Sequence, residues 1–352
     1  MNALSLFSSI GIGELYLSEL DVNVVVANEL IPKRAEAHQI IHDNCKMITG
    51  NIVDELIKEQ IILESKQKNV DFILATPPCQ GLSSAGSNKT EDSLLYDKRN
   101  YLILHALDII DRLEPSYILI ENVPRFFRLL FPYNNSLVNL ETLLLEKYRD
   151  RYNIKAEIMN AADYSVPQTR LRAVFRLWKK NLDWVAPVIE PNQVTVRQSI
   201  SNLPTLEAGM TSSIKNHWAR IHPENQILWM KHTPTGCSAF SNEIYYPQKE
   251  NGEKIKGFKN TYHRMGWDKP APTITMRNEI ISSQENVHPG RSLPDGTWSD
   301  ARVLTPRELL ILSSCPPDMD KPDNLSDNEF RQLIGEGIPP LMLKKIVKGI
   351  VM

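Results

Sequence analysis

The chain has 352 residues and a formal net charge of -2 at pH 7. Its composition, 42% hydrophobic and 23% charged, is ordinary for a soluble globular protein. No apolar run approaches the ~20 residues of a membrane span, which argues against a membrane role. The net charge does not decide whether nucleic acid is a partner, because such binding needs only a local basic face. The first residues lack the basic segment of a secretory signal, so we expect a cytoplasmic protein.

The four cysteines, Cys45, Cys79, Cys237 and Cys315, are widely spaced along the chain. No Cys-x-x-Cys pair is present, which argues against a disulfide framework and against a zinc cluster. We therefore expect reduced, free thiols and no bound metal.

The first half of the chain alternates β-branched apolar runs with helical patterns, which is typical of an α/β fold with a parallel sheet. Strands are predicted over residues 2–7, 22–27, 46–50, 70–75 and 116–121, and then over 154–159 and 172–177. Apolar residues at helical spacing predict helices over residues 13–20, 32–44 and 100–113.

The composition changes from about residue 178, where prolines, glycines and isolated aromatic residues are interleaved with lysines and arginines. This pattern predicts a smaller, loop-rich second domain over residues 179–300. Helical patterns return at residues 305–314 and at the C-terminus, so we expect the chain to rejoin the first domain there. The prediction is a Rossmann-like α/β domain formed by residues 1–178 and 301–352, into which the second domain is inserted.

The first predicted strand runs into a Ser/Gly-rich turn between Phe7 and Gly13. Backbone N–H groups in such a turn can approach a nucleoside cofactor closely. The third glycine of a Gly-x-Gly-x-x-Gly pattern is missing, because Tyr16 stands there. Glu29 ends the second strand, where a carboxylate can accept both ribose hydroxyls. These features suit NAD as well as S-adenosylmethionine, and an ordinary strand-to-helix turn would have the same pattern.

Cys79 follows the fourth predicted strand in the sequence Thr-Pro-Pro-Cys-Gln, at the edge where open α/β sheets bind ligands. A lone cysteine is usually a small buried side chain, but this position favours a nucleophile. A thiolate that adds to carbon 6 of cytosine makes carbon 5 reactive enough to take a methyl group. The charge that develops requires an acid and a cation from neighbouring strands. Glu121 ends one strand, and Arg170 and Arg172 begin another, although each alone could be a surface charge.

With these motifs in this order, the chain resembles the cytosine-5 DNA methyltransferase family along nearly its whole length. The Pro-Pro-Cys-Gln loop, the Glu-Asn-Val turn and the Gln-x-Arg-x-Arg element from Gln168 are the most specific marks. The resemblance implies methyl transfer from S-adenosylmethionine to carbon 5 of a cytosine flipped out of duplex DNA. Cys79 would be the attacking thiol, and Glu121 would hold or protonate ring nitrogen 3. Arg172 would contact the base oxygen and hold Glu121 in position. Arg170, in the same element, would also be a catalytic residue.

The resemblance implies a cofactor pocket made of the first loop, the end of the second strand and several later positions. Its residues would be Phe7, Ser8, Ser9, Ile10, Gly11, Gly13, Asn28, Glu29, Leu30, Asn51, Ile52, Pro78, Leu102 and Glu336. Glu29 would bind the ribose, and Asn51 and Ile52 would lie near the adenine. The family normally has other residues at Ser9, Ile12, Leu30, Asn51 and Glu336. These departures concern cofactor affinity rather than the type of reaction.

Two polar segments remain open to more than one interpretation. Asp97 and Asn100 match a short family motif, but could equally cap a helix. Residues 81–93, small and polar, predict either a mobile loop that closes over the flipped base or an ordinary surface loop.

Residues 179–300 stand where the family has its target-recognition domain. Recognition of duplex DNA requires cations and amides at base edges and phosphates. The candidate DNA-binding residues are Gln80, Ser83, Ser84, Arg264, Thr273 and Arg277. For each arginine, an ordinary solvated surface charge is the alternative.

Three other functions share part of the pattern. A nicotinamide-dependent oxidoreductase would use the first loop and Glu29, but would have no use for Cys79 paired with Glu121. A catalytically silent DNA-binding relative and a methyltransferase acting on transfer RNA stay open, although a recognition domain of this length favours DNA. We expect a monomer whose partners are double-stranded DNA and, in a restriction-modification system, a cognate restriction endonuclease.

Overall fold

The computed structural model describes residues 1–78 and 97–350. The chain divides into two compact units. Unit one consists of Met1–Asn160, Leu171–Val188 and Leu343–Met352, and unit two consists of Ala161–Arg170 and Ile189–Met342.

A mostly parallel sheet of seven strands forms the centre of unit one. The strands are β1 (Asn2–Leu6), β2 (Asn23–Glu29), β3 (Lys46–Thr49), β4 (Val70–Ala75), β5 (Tyr117–Asn122), β8 (Tyr152–Asn160) and β9 (Leu171–Lys179). A separate two-stranded hairpin is formed by β6 (Leu130–Tyr133) and β7 (Ser136–Asn139). The sheet order is β3-β2-β1-β4-β5-β9-β8, in which β1 to β5 are parallel and β9 is antiparallel to both neighbours. The α/β fold and the seven predicted strands are confirmed.

The helices of the first unit are α1 (Pro32–Ile41), α2 (Glu55–Gln67), α3 (Leu102–Leu113) and α4 (Leu140–Tyr148). Those that follow are α5 (Val196–Ile200), α6 (Glu224–Lys231), α7 (Pro306–Leu312), α8 (Asp327–Glu336) and α9 (Pro340–Val347). No helix among the described residues is long and apolar enough to cross a bilayer.

The helix predicted over residues 13–20 is wrong. The segment forms two 3-10 turns, Ile12–Tyr16 and Ser18–Leu20. Asp21, with φ 55°, turns the chain at the end of the second one, and β2 begins soon afterwards at Asn23. The apolar spacing of this segment therefore did not distinguish 3-10 turns from an α-helix.

The core of unit one forms where helices pack on the sheet. Ile103, Ala106 and Ile110 of α3 belong to the same buried cluster as Ile73 of β4 and Ile118 of β5. Burial of each large aliphatic side chain contributes roughly 1.5–3 kcal/mol. This packing fixes the two strands whose ends carry the candidate catalytic residues.

Unit two contains a buried cluster of charges. Arg302 donates to both carboxylate oxygens of Glu308, at 2.8 and 3.0 Å, and to Asp300 at 2.8 Å. Arg302, Asp300 and Glu308 are all at most 1% exposed. Burial alone would raise the pKa of Glu308, but the Arg302 guanidinium and the charge on His288 hold it at about 2. Glu308 also completes the capping box with Thr305 that begins α7.

The C-terminal part of the chain contributes to both compact units. Residues 301–342 lie in unit two, where Arg302 also donates to the carbonyl of Leu206 at 2.7 Å. Only Leu343–Met352 lies in unit one, where the indole N–H of Trp184 donates to the carbonyl of Ile346 at 2.8 Å. The motif resemblance carried no information about these contacts. The limits of the target-recognition domain at residues 179 and 300 stay a prediction.

We expect Arg302→Met to lower the free energy of unfolding by about 3–5 kcal/mol, because Asp300 and Glu308 would remain buried without their cation. The matched control is Arg197→Met. Arg197 pairs with Asp268 at 2.6 Å, but both side chains are more than half exposed, so the loss should stay within about 1 kcal/mol. Urea denaturation measures the free energy of unfolding of both variants. Similar losses in the two variants would contradict a stabilising role for the buried cluster.

Candidate active site

The first loop, residues 7–13, has an unusual backbone. Phe7, Ser9 and Gly11 have φ values of 61°, 50° and 73°, so alternate residues adopt the left-handed conformation. Such alternation can turn successive N–H groups towards one concave side, which is a common form of anion site. A side chain at Gly11 would meet the His42 ring at 2.3 Å, so the loop requires glycine there.

The end of β2 holds this loop in place. Ser8 donates through its backbone N–H to the carbonyl of Asn28 at 3.1 Å. The Glu29 carboxylate accepts the N–H of Ser9 at 2.9 Å and that of Ile31 at 2.8 Å. Glu29 is only 7% exposed, and these two bonds fix its orientation. The predicted ribose-binding carboxylate therefore lies directly against the predicted cofactor loop.

A group of polar residues that the sequence analysis missed lies behind the loop. His38 Nε2 is 3.1 Å from Glu14 Oε2, and His42 Nε2 is 3.0 Å from the carbonyl oxygen of Gly11. The Ser5 hydroxyl donates to Glu14. Burial opposes ionisation of Glu14, but His38 and His42 hold its pKa below the ordinary value. The only sequence signal was the spacing of two histidines one helical turn apart on α1.

The other predicted cofactor residues differ in exposure. Ile10, Gly13, Asn28 and Ile52 are buried, Pro78 and Leu102 are half-buried, and Leu30 and Asn51 are exposed. The Asn51 side chain accepts the N–H of Val53 at 3.1 Å. Glu336 is half-buried and lies in unit two.

Hydrogen bonds connect the ends of β1, β4 and β5. The hydroxyl of Thr76 donates to the carbonyl of Phe7 at 3.2 Å, which joins the first loop to the segment after β4. The side-chain amide of Asn122 donates to the carbonyl of Pro77 at 2.9 Å, which joins that segment to the end of β5. Because the three strands are adjacent and parallel, their carboxyl ends lie at one edge of the sheet.

The predicted acid and one predicted arginine meet at the same edge. Arg172 Nε lies 2.7 Å from Glu121 Oε1, and each side chain is 10% exposed. The antiparallel direction of β9 explains the contact, since β9 starts where β5 ends and Asn122 pairs with Ala173. A buried charge pair of this kind orients the carboxyl group and limits its access to water.

Arg170 of the same element makes contacts with later segments of the chain. Its guanidinium donates to the carbonyl of Ile274 at 2.9 Å, that of Gly335 at 2.9 Å and that of Glu336 at 3.0 Å, all within unit two. These bonds satisfy three backbone carbonyls, and the catalytic role of Arg170 stays a prediction. Arg170 and Arg172 are the same residue type two positions apart, so the sequence did not show that their contacts differ.

The predicted DNA-binding residues fall into three groups. Arg264 is fully buried and donates to the carbonyls of Met230, His288 and Asp300, which use its guanidinium within the protein. Its contact with DNA stays a prediction. Thr273 and Arg277 are exposed, and Thr273 donates to the carbonyl of Thr169 at 2.7 Å. The remaining candidates, Gln80, Ser83 and Ser84, lie outside the described residues. The predicted nucleophile Cys79 and the predicted mobile loop, residues 81–93, lie outside them as well.

Asp97 acts as a helix cap. Its carboxylate accepts the backbone N–H of Arg99 at 3.1 Å at the start of a 3-10 turn, Lys98–Tyr101, that leads into α3. Asp97 also pairs with the Arg99 side chain at 2.7 Å. The capping interpretation of this residue is confirmed.

Comparison with known proteins agrees with this geometry. A sequence model of the C-5 cytosine-specific DNA methylase family matches residues 1–352. The chain belongs to this family of enzymes. It is 49% identical to the Type II methyltransferase M1.HgaI of Avibacterium volantium, over 99% of this chain and 97% of the relative. It is 27% identical to the Type II methyltransferase M1.HphI of Haemophilus parahaemolyticus, over 99% of this chain and 86% of the relative.

A solved structure supports the fold. The methyltransferase EhMeth of Entamoeba histolytica superposes with a TM-score of 0.65 at 17% identity, over 99% of this chain and 97% of that chain. The family resemblance inferred from the motifs is confirmed, and so is the assignment of the chain as a DNA (cytosine-5)-methyltransferase.

The buried thiols make a prediction about reactivity. Burial raises the pKa of Cys45 and of Cys315 to about 12. Since the thiolate is the reactive form, roughly one thiol in ten thousand is ionised at pH 8. We expect iodoacetamide at pH 8 to modify Cys45 and Cys315 only after unfolding, as followed by peptide mass spectrometry. Half-buried Cys237 is the internal comparison. Equal native labelling of all three would contradict the burial.

Proposed function

We propose that the chain transfers a methyl group from S-adenosylmethionine to carbon 5 of a cytosine flipped out of duplex DNA, through a covalent bond to Cys79. The observation that supports this most is the buried Glu121–Arg172 pair. It lies at the sheet edge that also carries Pro77, two residues before Cys79. Addition of a thiolate to cytosine requires an acid and a cation close to the nucleophile.

The first loop suits the cofactor. Its left-handed residues Phe7, Ser9 and Gly11 form a backbone suited to a negatively charged group, such as an amino-acid carboxylate. Glu29 accepts two N–H groups and retains lone pairs for ribose hydroxyls. Asn51 would contact the adenine. When bound, S-adenosylmethionine supplies the electrophilic methyl group. The proposal includes no metal, since the thiolate, the acid and the arginine supply the charges required.

In the proposed reaction, the Cys79 thiolate forms a bond to carbon 6, and the ring electrons make carbon 5 nucleophilic. Glu121 holds a proton at ring nitrogen 3, and Arg172 keeps the carboxyl group of Glu121 oriented. Carbon 5 takes the methyl group as the bond between that group and the cofactor's sulfur breaks, which would leave S-adenosylhomocysteine. The hydrogen on carbon 5 then passes to water as a proton. The electron pair of that C–H bond restores the ring double bond and expels the thiolate. The base must leave the helix for the thiol to reach its face.

We propose double-stranded DNA as the substrate and a cytoplasmic monomer as the active form. The curated relatives are named Type II methyltransferases, which supports a cognate restriction endonuclease as partner. Bisulfite sequencing of DNA from cells that express the protein would identify the target sequence. Absence of any cytosine protected from conversion, relative to cells without the protein, would count against DNA as the substrate.

A duplex with 5-fluorocytosine at the target position tests the mechanism. Methylation of carbon 5 should proceed, but fluorine, unlike hydrogen, cannot then leave as a positive ion. The thiolate is therefore not expelled, and the protein should stay joined to the DNA on a denaturing gel. The adduct should require S-adenosylmethionine, because without the methyl group the addition reverses. It should be absent in Cys79→Ala and retained in the matched control Cys237→Ala.

The same assay separates the remaining alternatives. An adduct that maps to Cys45, Cys237 or Cys315, or that persists in Cys79→Ala, would contradict the proposed nucleophile. Methyl transfer to RNA but not to duplex DNA would favour a transfer-RNA methyltransferase. DNA binding without transfer or adduct would indicate a catalytically silent relative.

A further inference from the structure

An exposed aromatic residue lies among lysines in unit two. Phe258 is 77% exposed, and Lys254, Lys256 and Lys259 on either side of it are exposed as well. We call residues 254–259 the lysine-phenylalanine loop. A single exposed apolar side chain is common on protein surfaces. A nearly fully exposed phenylalanine between three cations is a more specific combination.

The loop is anchored, so the exposure of Phe258 is not a consequence of a loose backbone. The carbonyl of Phe258 accepts both the N–H and the hydroxyl of Thr261, at 2.9 and 2.8 Å. The N–H of Ile255 donates to the carbonyl of Pro247 at 3.0 Å. A side chain at Gly257 would meet the ring of Phe240 at 2.5 Å, so the backbone there lies directly on another aromatic residue.

The charges of the loop are available to a partner. Within the described parts of the chain, neither Lys256 nor Lys259 forms an ion pair. Lys254 lies 3.9 Å from the centre of the Tyr246 ring, which leaves its charge uncompensated by a carboxylate. The nearby Glu253 is paired with Lys249 at 2.8 Å. The loop is therefore locally positive on a chain whose net charge is negative.

We propose that the lysine-phenylalanine loop contacts the duplex DNA substrate, with the lysines on phosphates and the ring of Phe258 against the bases. The inference rests on the proposed function and assigns a surface to it. Cations interleaved with an aromatic ring are suited to nucleic acid, since ammonium groups neutralise phosphates and ring faces stack on bases. An apolar ring gains little beside phosphates, whereas an opened base step offers it an apolar surface.

The two contact types respond differently to salt. Each lysine that neutralises a phosphate contributes about 0.9 to the slope of log affinity against log salt concentration. A contact between Phe258 and the bases releases no counterion, so it should affect affinity at every salt concentration equally. The two contact types can be separated by measuring how tightly the full chain binds a duplex at several salt concentrations. The duplex would contain the site found by bisulfite sequencing.

We expect Phe258→Ala to weaken binding about 10-fold without changing the salt slope, and Phe258→Trp, which retains a flat ring, to restore most of the affinity. Lys256→Ala and Lys259→Ala should each lower the slope by about 0.9. The melting temperature should not change, because the side chains are exposed. Matched controls are Ile221→Ala, at a position 84% exposed, and Lys215→Ala, whose lysine is paired with Asp320.

Wild-type affinity and slope in all the loop variants, with wild-type methyl transfer intact, would overturn the inference and leave the proposed function standing. Failure of the wild-type chain to bind or methylate any duplex would overturn both. If the wild-type chain is a dimer in analytical ultracentrifugation and Phe258→Ala is a monomer, the loop binds a second copy of the chain instead of DNA.

Discussion

The candidate site depends on the parallel register of three adjacent strands. Leu6 of β1 pairs with Ala75 of β4, and Ala75 pairs with Ile120 of β5, so the residues after each strand emerge at one edge. Side-chain hydrogen bonds from Thr76 and Asn122 then tie the three segments to each other. The antiparallel strand β9 brings Arg172 to the same edge. Changes in the sheet that shift this register would therefore separate the first loop, residues 7–13, from Glu121.

The fold was predictable because its strands are continuous apolar runs. Strands such as β5, buried on all six residues, leave a strong local signal in the sequence. The segment from 13 to 20 was mispredicted because its apolar spacing is helical, whereas the structure has two 3-10 turns there, the second of which ends at the left-handed Asp21. The α2 helix was missed, although Asp54 caps its first turn, because two of its four buried residues, Lys58 and Ser65, are polar and weaken the apolar pattern.

The site was predictable only in part, because residue type does not show where a side chain points. Glu121 and Arg172 were identified from their places at strand ends, and the structure brings them together. Arg170 and Arg264 have the same chemistry, yet both donate to backbone carbonyls from segments far away in the sequence. The sequence patterns did not single out Phe258, because exposure of an aromatic ring has no local sequence signal.

The central claim is that Glu121 acts as one unit with Arg172, and a double-mutant cycle tests it most directly. Single-turnover methyl transfer would be measured for Glu121→Gln, Arg172→Gln and the double variant at saturating DNA and cofactor. If the pair acts as a unit, the double variant should be about as slow as the slower single variant, with a coupling energy of about 2 kcal/mol or more. Losses that simply add would contradict the account and show that the two residues act independently.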